Sequence, residues 1–174
     1  MKKALILIDL QNDFIDGALG TPEAEAIVPA VLEKLRNYPP AAVFATMDTH
    51  GPEYLSTQEG RRLPVEHCIK GTKGWLLREE IAEKLTEARI FEKPTFGSLR
   101  LAEALKAEPE LEEVELVGLC TDICVVSNAL LLKAFLPEIA ITVDPACCAG
   151  VTPEKHLAAL ETLRSCQIAV GEAG

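Results

Sequence analysis

The segment Val114-Glu115-Leu116-Val117-Gly118-Leu119-Cys120-Thr121-Asp122-Ile123-Cys124-Val125 passes from an apolar run, through a glycine, into a threonine-led stretch. It reads as a strand followed by a Thr-capped helix, which puts Cys124 near the helix start and at the carboxyl edge of a sheet. Open α/β proteins keep their sites at that edge. A thiol near a helix N-terminus also meets the positive end of the backbone dipoles, which favours the thiolate. Cys124 is therefore a candidate nucleophile. The competing reading is a small, buried core residue.

Working outward, short apolar runs alternate with amphipathic ones. Strands are expected at residues 4–8, 41–46, 89–91, 114–117, 139–143 and 167–170. Helices are expected at 21–37, where Thr21-Pro22-Glu23 carries a start signature, and at 76–86, 98–106 and 121–135. Thr152-Pro153-Glu154 repeats the signature and opens a last helix. This alternation implies right-handed crossovers and a three-layer α/β/α fold. The central sheet is expected to be mostly parallel and Rossmann-like, with five or six strands, in one domain over residues 1–174. The connection over residues 48–74 is longer than a compact domain usually keeps without a purpose.

Composition excludes several classes. A formal net charge of −10 argues against a nucleic-acid binder, which needs a basic face. No apolar stretch approaches the ~20 residues of a membrane span, and Met1-Lys2-Lys3 is followed only by a short run broken at Asp9, unlike a signal peptide. The six cysteines show no CxxC spacing and read as reduced thiols in a cytoplasmic protein.

Other chemistry-bearing residues also follow strands. Asp9 closes the first apolar run, where a lone buried carboxylate would be expensive; it is either an acid–base group or a turn cap. Lys93 ends the strand at 89–91, and a cation beside a thiol lowers its pKa. Asp48 and His50 lie two apart beyond the second strand, with Glu59 and His67 further along the same loop. A carboxylate and two imidazoles suit zinc, iron or manganese; a polar surface loop is the alternative. Convergence of these strand ends on one edge is the argument for an active site.

Three blocks resemble a known family. Ile8-Asp9-Leu10-Gln11-Asn12-Asp13-Phe14 is similar to the opening signature of the isochorismatase-like cysteine hydrolases. Residues 63–74, with Pro64, His67, Cys68, Gly71, Thr72 and Gly74, resemble the P-x-H-C-x-x-G-T-x-G block of the nicotinamidases within that superfamily. Gly118 to Val125 resembles their nucleophile segment, G-x-A-T-D-x-C-V. The sequence departs from the pattern in having Cys120 for the usual alanine and Ile123 for the usual aromatic residue. It also lacks the run of His and Ser expected after Asp48-Thr49-His50.

The resemblance implies a triad of Asp9, Lys93 and Cys124, acting through a thioester. It implies an oxyanion hole from the backbone N–H groups of Cys120 and Cys124, with a non-proline cis peptide before Cys120. It also implies a divalent metal, zinc first among the possibilities, on Asp48, His50 and His67 with Glu59 as a fourth ligand. Phe14 and Trp75 are the expected walls of the substrate site. The implied activity is hydrolysis of nicotinamide to nicotinate and ammonia by a self-associating enzyme. The alternatives are hydrolysis of another small amide or carbamoyl compound, a non-catalytic oligomeric binding module, or a thiol sensor pairing Cys120 with Cys124.

Overall fold

The computed structural model describes residues 1–171. Strands β1 (Lys3–Ile8), β2 (Val43–Asp48), β3 (Arg89–Lys93), β4 (Glu113–Leu119), β5 (Ala140–Ala149) and β6 (Ala169–Val170) form one sheet in the order β3-β2-β1-β4-β5-β6. Every neighbouring pair is parallel. The helices are α1 (Asn12–Ile15), α2 (Pro22–Ala26), α3 (Val28–Leu35), α4 (Gln58–Arg62), α5 (Glu79–Ala82), α6 (Leu99–Lys106), α7 (Val126–Phe135) and α8 (Pro153–Ser165).

Two apolar layers sandwich the sheet. Ala4, Ile6 and Ile8 of β1 pack with residues of α6, α7 and α8, whereas Leu5 and Leu7 pack with residues of α1, α2, α3 and α5. This is the two-residue period of a strand buried on both faces. Each such Leu or Ile contributes roughly 1.5–3 kcal/mol by leaving water. The expected three-layer α/β/α arrangement is the one observed.

Boundaries differ where local chemistry overrides the pattern. The helix expected over 21–37 divides into α2 and α3, because Pro29 in the first turn of α3 has no N–H to carry a helix through. The helix expected over 76–86 shrinks to α5. Thr121 caps nothing: Cys120 stands at the cap position, and residues Thr121–Val125 form a π-helical turn ahead of α7. The Thr121 hydroxyl instead lies 2.8 Å from Nδ1 of the half-buried His156.

The strand order reverses direction between β1 and β4, so a crevice opens beyond their carboxyl ends. Two backbone features shape it. Asp9 takes a φ of 49°, a left-handed conformation that Asp tolerates better than most residues, and this swings the chain out of the sheet. Gly118 has a φ of 124°, and a Cβ there would lie 2.1 Å from the Ile8 carbonyl oxygen. Only glycine lets β4 approach β1 that closely.

Candidate active site

Asp9 follows β1, Asp48 and Lys93 end β2 and β3 as register partners, and Cys124 lies in the turn after β4. Strand-end placement thus brings all four together. Lys93 Nζ lies 2.6 Å from Asp9 Oδ2, 3.3 Å from Asp48 Oδ1 and 3.4 Å from Cys124 Sγ. Asp9, Lys93, Asp48 and Cys124 are all buried. The Leu119–Cys120 peptide bond is cis.

Burial acts on the thiol against the helix-start dipole and the neighbouring cation. Burial pushes the Cys124 pKa well up, the negative charge of Asp9 adds to this, and Lys93 only partly opposes it. The surroundings of Cys124 therefore favour the neutral thiol. Burial likewise raises the Asp9 pKa, with Lys93 opposing and Asp48 reinforcing the rise. Burial alone would lower the Lys93 pKa, but the charges of Asp9, Cys124 and Asp48 outweigh it and keep the amine an ammonium. The cluster holds a thiol, a proton-accepting carboxylate and a fixed cation. That combination can deprotonate a nucleophile when a substrate arrives.

Beside it stands a second cluster. One ligand atom each from Asp48, His50, Glu59 and His67 lies within 4.8 Å of the others. Asp48 Oδ2 is 3.0 Å from His50 Nε2 and 3.6 Å from His67 Nε2. Glu59 Oε1 is 3.7 and 3.8 Å from the same two nitrogens. Ligands about 2.0–2.1 Å from a tetrahedral ion lie about 3.3–3.4 Å apart, so the set fits a divalent metal. His67 Nδ1–H donates to the Val65 carbonyl at 2.8 Å, which leaves the Nε2 lone pair for ligation.

The loop folds so as to bring these ligands together. Residues 68–70 run beside His50, with the His50 N–H donating to Cys68 O and the Lys70 N–H to His50 O, at 3.0 and 2.9 Å. Thr57 caps α4 and thereby sets Glu59 in its first turn. Burial opposes ionisation of Asp48. The neighbouring imidazoles of His50 and His67 and the charge of Lys93 outweigh it and hold the carboxyl well below the usual range. Asp48 therefore joins the clusters, one oxygen facing Lys93 and the other facing the histidines.

A cavity of about 250 Å³ reaches both clusters. Phe14, Leu19, Leu63, Phe96, Ile123 and Val151 form its apolar walls; Asp48, Glu59, His67, Cys120 and Cys124 supply polar atoms. Phe14 lines this cavity, 5.6 Å from the His67 ring between centroids. Trp75 does not: its indole N–H donates to Thr49 Oγ1 at 2.9 Å, which turns the ring to a separate hollow with Asn12, Met47 and Lys73.

The sequence reading missed three buried polar side chains. Thr46 donates to Asp9 Oδ1 at 2.7 Å. Gln11 accepts from the Asp48 N–H at 2.7 Å and donates to the Asp48 and Trp75 carbonyls at 2.8 and 2.7 Å. It thus replaces the strand partner that Asp48 loses when β1 turns away. Asn128 donates to the Cys124 and Phe96 carbonyls and accepts from the Ser98 N–H, tying the nucleophile turn to the cavity rim. The buried-strand position of Thr46 and the place of Gln11 in the quoted opening block were the available signals; Asn128 offered none.

A family model for the isochorismatase domain matches residues 3–173. An uncharacterised isochorismatase family protein, PncA, of Bacillus subtilis is 33% identical, covering 92% of this chain and 93% of its own. The nicotinamidase/pyrazinamidase of Mycobacterium tuberculosis is 28% identical, covering 95% and 96%. The solved structure of the pyrazinamidase of Pyrococcus horikoshii in complex with zinc superposes with a TM-score of 0.82 at 27% identity, covering 99% of this chain and 100% of that one.

Proposed function

The chain belongs to the isochorismatase family, and we propose that it is a metal-containing cysteine amidohydrolase that converts nicotinamide to nicotinate and ammonia. The observation that carries this reading is the Asp9–Lys93–Cys124 cluster opening into the same apolar cavity as a two-histidine, two-carboxylate ligand set.

Cys124 attacks the amide carbonyl carbon as its proton passes to Asp9. The oxyanion rests on the backbone N–H groups of Cys120 and Cys124. Asp9 returns the proton to the departing nitrogen, the C–N bond breaks, and ammonia leaves a thioester behind. Asp9 then takes a proton from water, which attacks the thioester; nicotinate is released and the thiol is regenerated. Lys93 stays charged throughout and steadies the negative charge as it moves between sulfur and carboxylate. Phe14 and the other apolar walls flank the pyridine ring and exclude water. Asp48, His50, Glu59 and His67 would hold a divalent ion, which we take to be zinc, and its chemistry there would be Lewis-acid polarisation of the pyridine ring.

The test is ammonia release from nicotinamide by metal-replete wild type and by Cys124→Ala, with and without a chelator. Release by wild type alone, lost on chelation and restored by zinc, is the expected result. No release by the metal-replete wild type removes the nicotinamide assignment. Turnover of nicotinamide that survives chelation removes the role given to the metal.

A further inference from the structure

We propose that Thr46 is the positioning residue for Asp9: its hydroxyl fixes which carboxylate oxygen faces the thiol. The inference rests on the reading of Asp9 as proton acceptor. Thr46 lies in β2 opposite Ile8, and both Thr46 and Asp9 are fully buried. Two contacts join them. The Asp9 N–H donates to the Thr46 carbonyl at 3.2 Å, and the Thr46 hydroxyl donates to Asp9 Oδ1 at 2.7 Å.

The first contact places the backbone and the second fixes the carboxylate plane. Because the φ of 49° lifts Asp9 out of the strand, the sheet itself gives its side chain no direction. With Oδ1 held, Oδ2 faces Lys93 Nζ at 2.6 Å and has no hydrogen-bond partner beyond that ion pair among the described residues. Oδ2 is therefore the oxygen on the side of the shared ammonium, which also lies 3.4 Å from Cys124 Sγ, and it keeps a lone pair that no hydrogen bond occupies. Without the hydroxyl the carboxylate is free to turn about its Cβ–Cγ bond.

Strand alternation sharpens the point. Val43, Ala45 and Met47 pack into one apolar layer, and Phe44 packs into the other, which also contains Ile8 and Cys124. Thr46 occupies the Phe44 side, where valine would fill the same volume without a polar group to satisfy. The hydroxyl at this position has one acceptor among the described side chains, and that acceptor is Asp9.

The experiment compares Thr46→Val, Thr46→Ser and Asp9→Asn with wild type in zinc-loaded enzyme. For Thr46→Val, kcat should fall about ten- to a hundredfold, the scale of a misplaced reacting group, while KM for nicotinamide changes less than about twofold. Thr46→Ser, which keeps the hydroxyl, should recover most of the rate. The rate of Cys124 alkylation by iodoacetamide should follow the same order without any need for turnover. Wild-type kcat in Thr46→Val overturns the proposal. So does a Thr46→Ser variant as slow as Thr46→Val, which would assign the effect to the methyl group. If Thr46→Val does not fold, the rate and alkylation of Thr46→Ser decide the matter. Full activity in Asp9→Asn would remove the reading of Asp9 itself, and the proposal with it.

Discussion

Two buried carboxylates paired with lysines sit at different places in this sheet, and their settings act in opposite directions. Glu115, within β4, takes Lys34 Nζ at 2.7 Å on one oxygen. The Tyr38 hydroxyl donates to the other, which also lies 3.6 Å from Lys3 Nζ. Burial opposes its ionisation, but the hydrogen bonds from Lys34 and Tyr38 outweigh it and lower the pKa. Asp9 has one lysine and one hydroxyl, with a second carboxylate nearby, and burial wins, so its pKa rises. Deeper burial, the second carboxylate and fewer donors at Asp9 separate the two. A carboxylate surrounded by donors is a fastener, here tying α3 to the sheet. One left a donor short can still accept a proton.

The largest test of this contrast exchanges each carboxylate for its amide. Asp9→Asn removes the base and should lower kcat/KM for nicotinamide by about 10³-fold or more. Glu115→Gln should leave kcat/KM within about twofold and instead lower the thermal midpoint. Weakening one partly buried charged network by roughly 1–3 kcal/mol corresponds to about 3–10 °C in a chain of this size. Steady-state kinetics and a melting curve on both variants read the two axes. A large rate loss in Glu115→Gln would mean the fastener and the site are coupled, and the contrast would fail.

What the sequence disclosed follows the same division. Asp9, Asp48, Lys93 and Cys124 were legible because each follows an apolar run, and strand ends in a parallel sheet converge by topology. Phe14 was legible only through resemblance, whereas Asp48, His50, Glu59 and His67 already stood out as a carboxylate and imidazole group in one long loop. Thr46 and Gln11 stayed hidden because their roles depend on register: Thr46 matters because it lies opposite Ile8, beside the point where Asp9 leaves the sheet. The upward push on the Cys124 pKa was not legible because the sequence shows the signs of neighbouring charges but not the depth of burial. Pro29 was visible in the sequence, yet the run around it kept a helical pattern, so the break into α2 and α3 was missed.

The opposite shifts also predict two separate acid limits. Glu115 has a depressed folded pKa. Its contribution to stability is present above the unfolded value, about 4.3, and is lost as pH falls through the lower folded value. Asp9 has a raised pKa, so ionising it costs stability as pH rises from about 3.9 through the folded value, and turnover needs the ionised form. Activity should therefore fail at a higher pH than folding does, leaving an acidic interval in which the chain is folded and inactive. Far-ultraviolet circular dichroism and ammonia release across the same pH series would show it. Coincident midpoints would show that one event governs both.

The smallest effect concerns Trp75, whose ring the sequence reading assigned to the substrate site and the fold turns away from it. Its indole N–H is held by Thr49, between Asp48 and His50 of the proposed metal set, so the side chain touches the site only through backbone position. Trp75→Phe keeps an aromatic ring in the outer hollow and loses one partly exposed hydrogen bond, about 0.5–1.5 kcal/mol of stability. KM for nicotinamide should stay within about twofold of wild type, whereas Phe14→Ala, which opens the cavity wall, should raise it by tenfold or so, the scale of lost apolar contact with a small ring. A Trp75→Phe variant with a KM as high as that of Phe14→Ala would place the indole against the substrate, and the hollow beside Lys73 would then have to be part of the cavity.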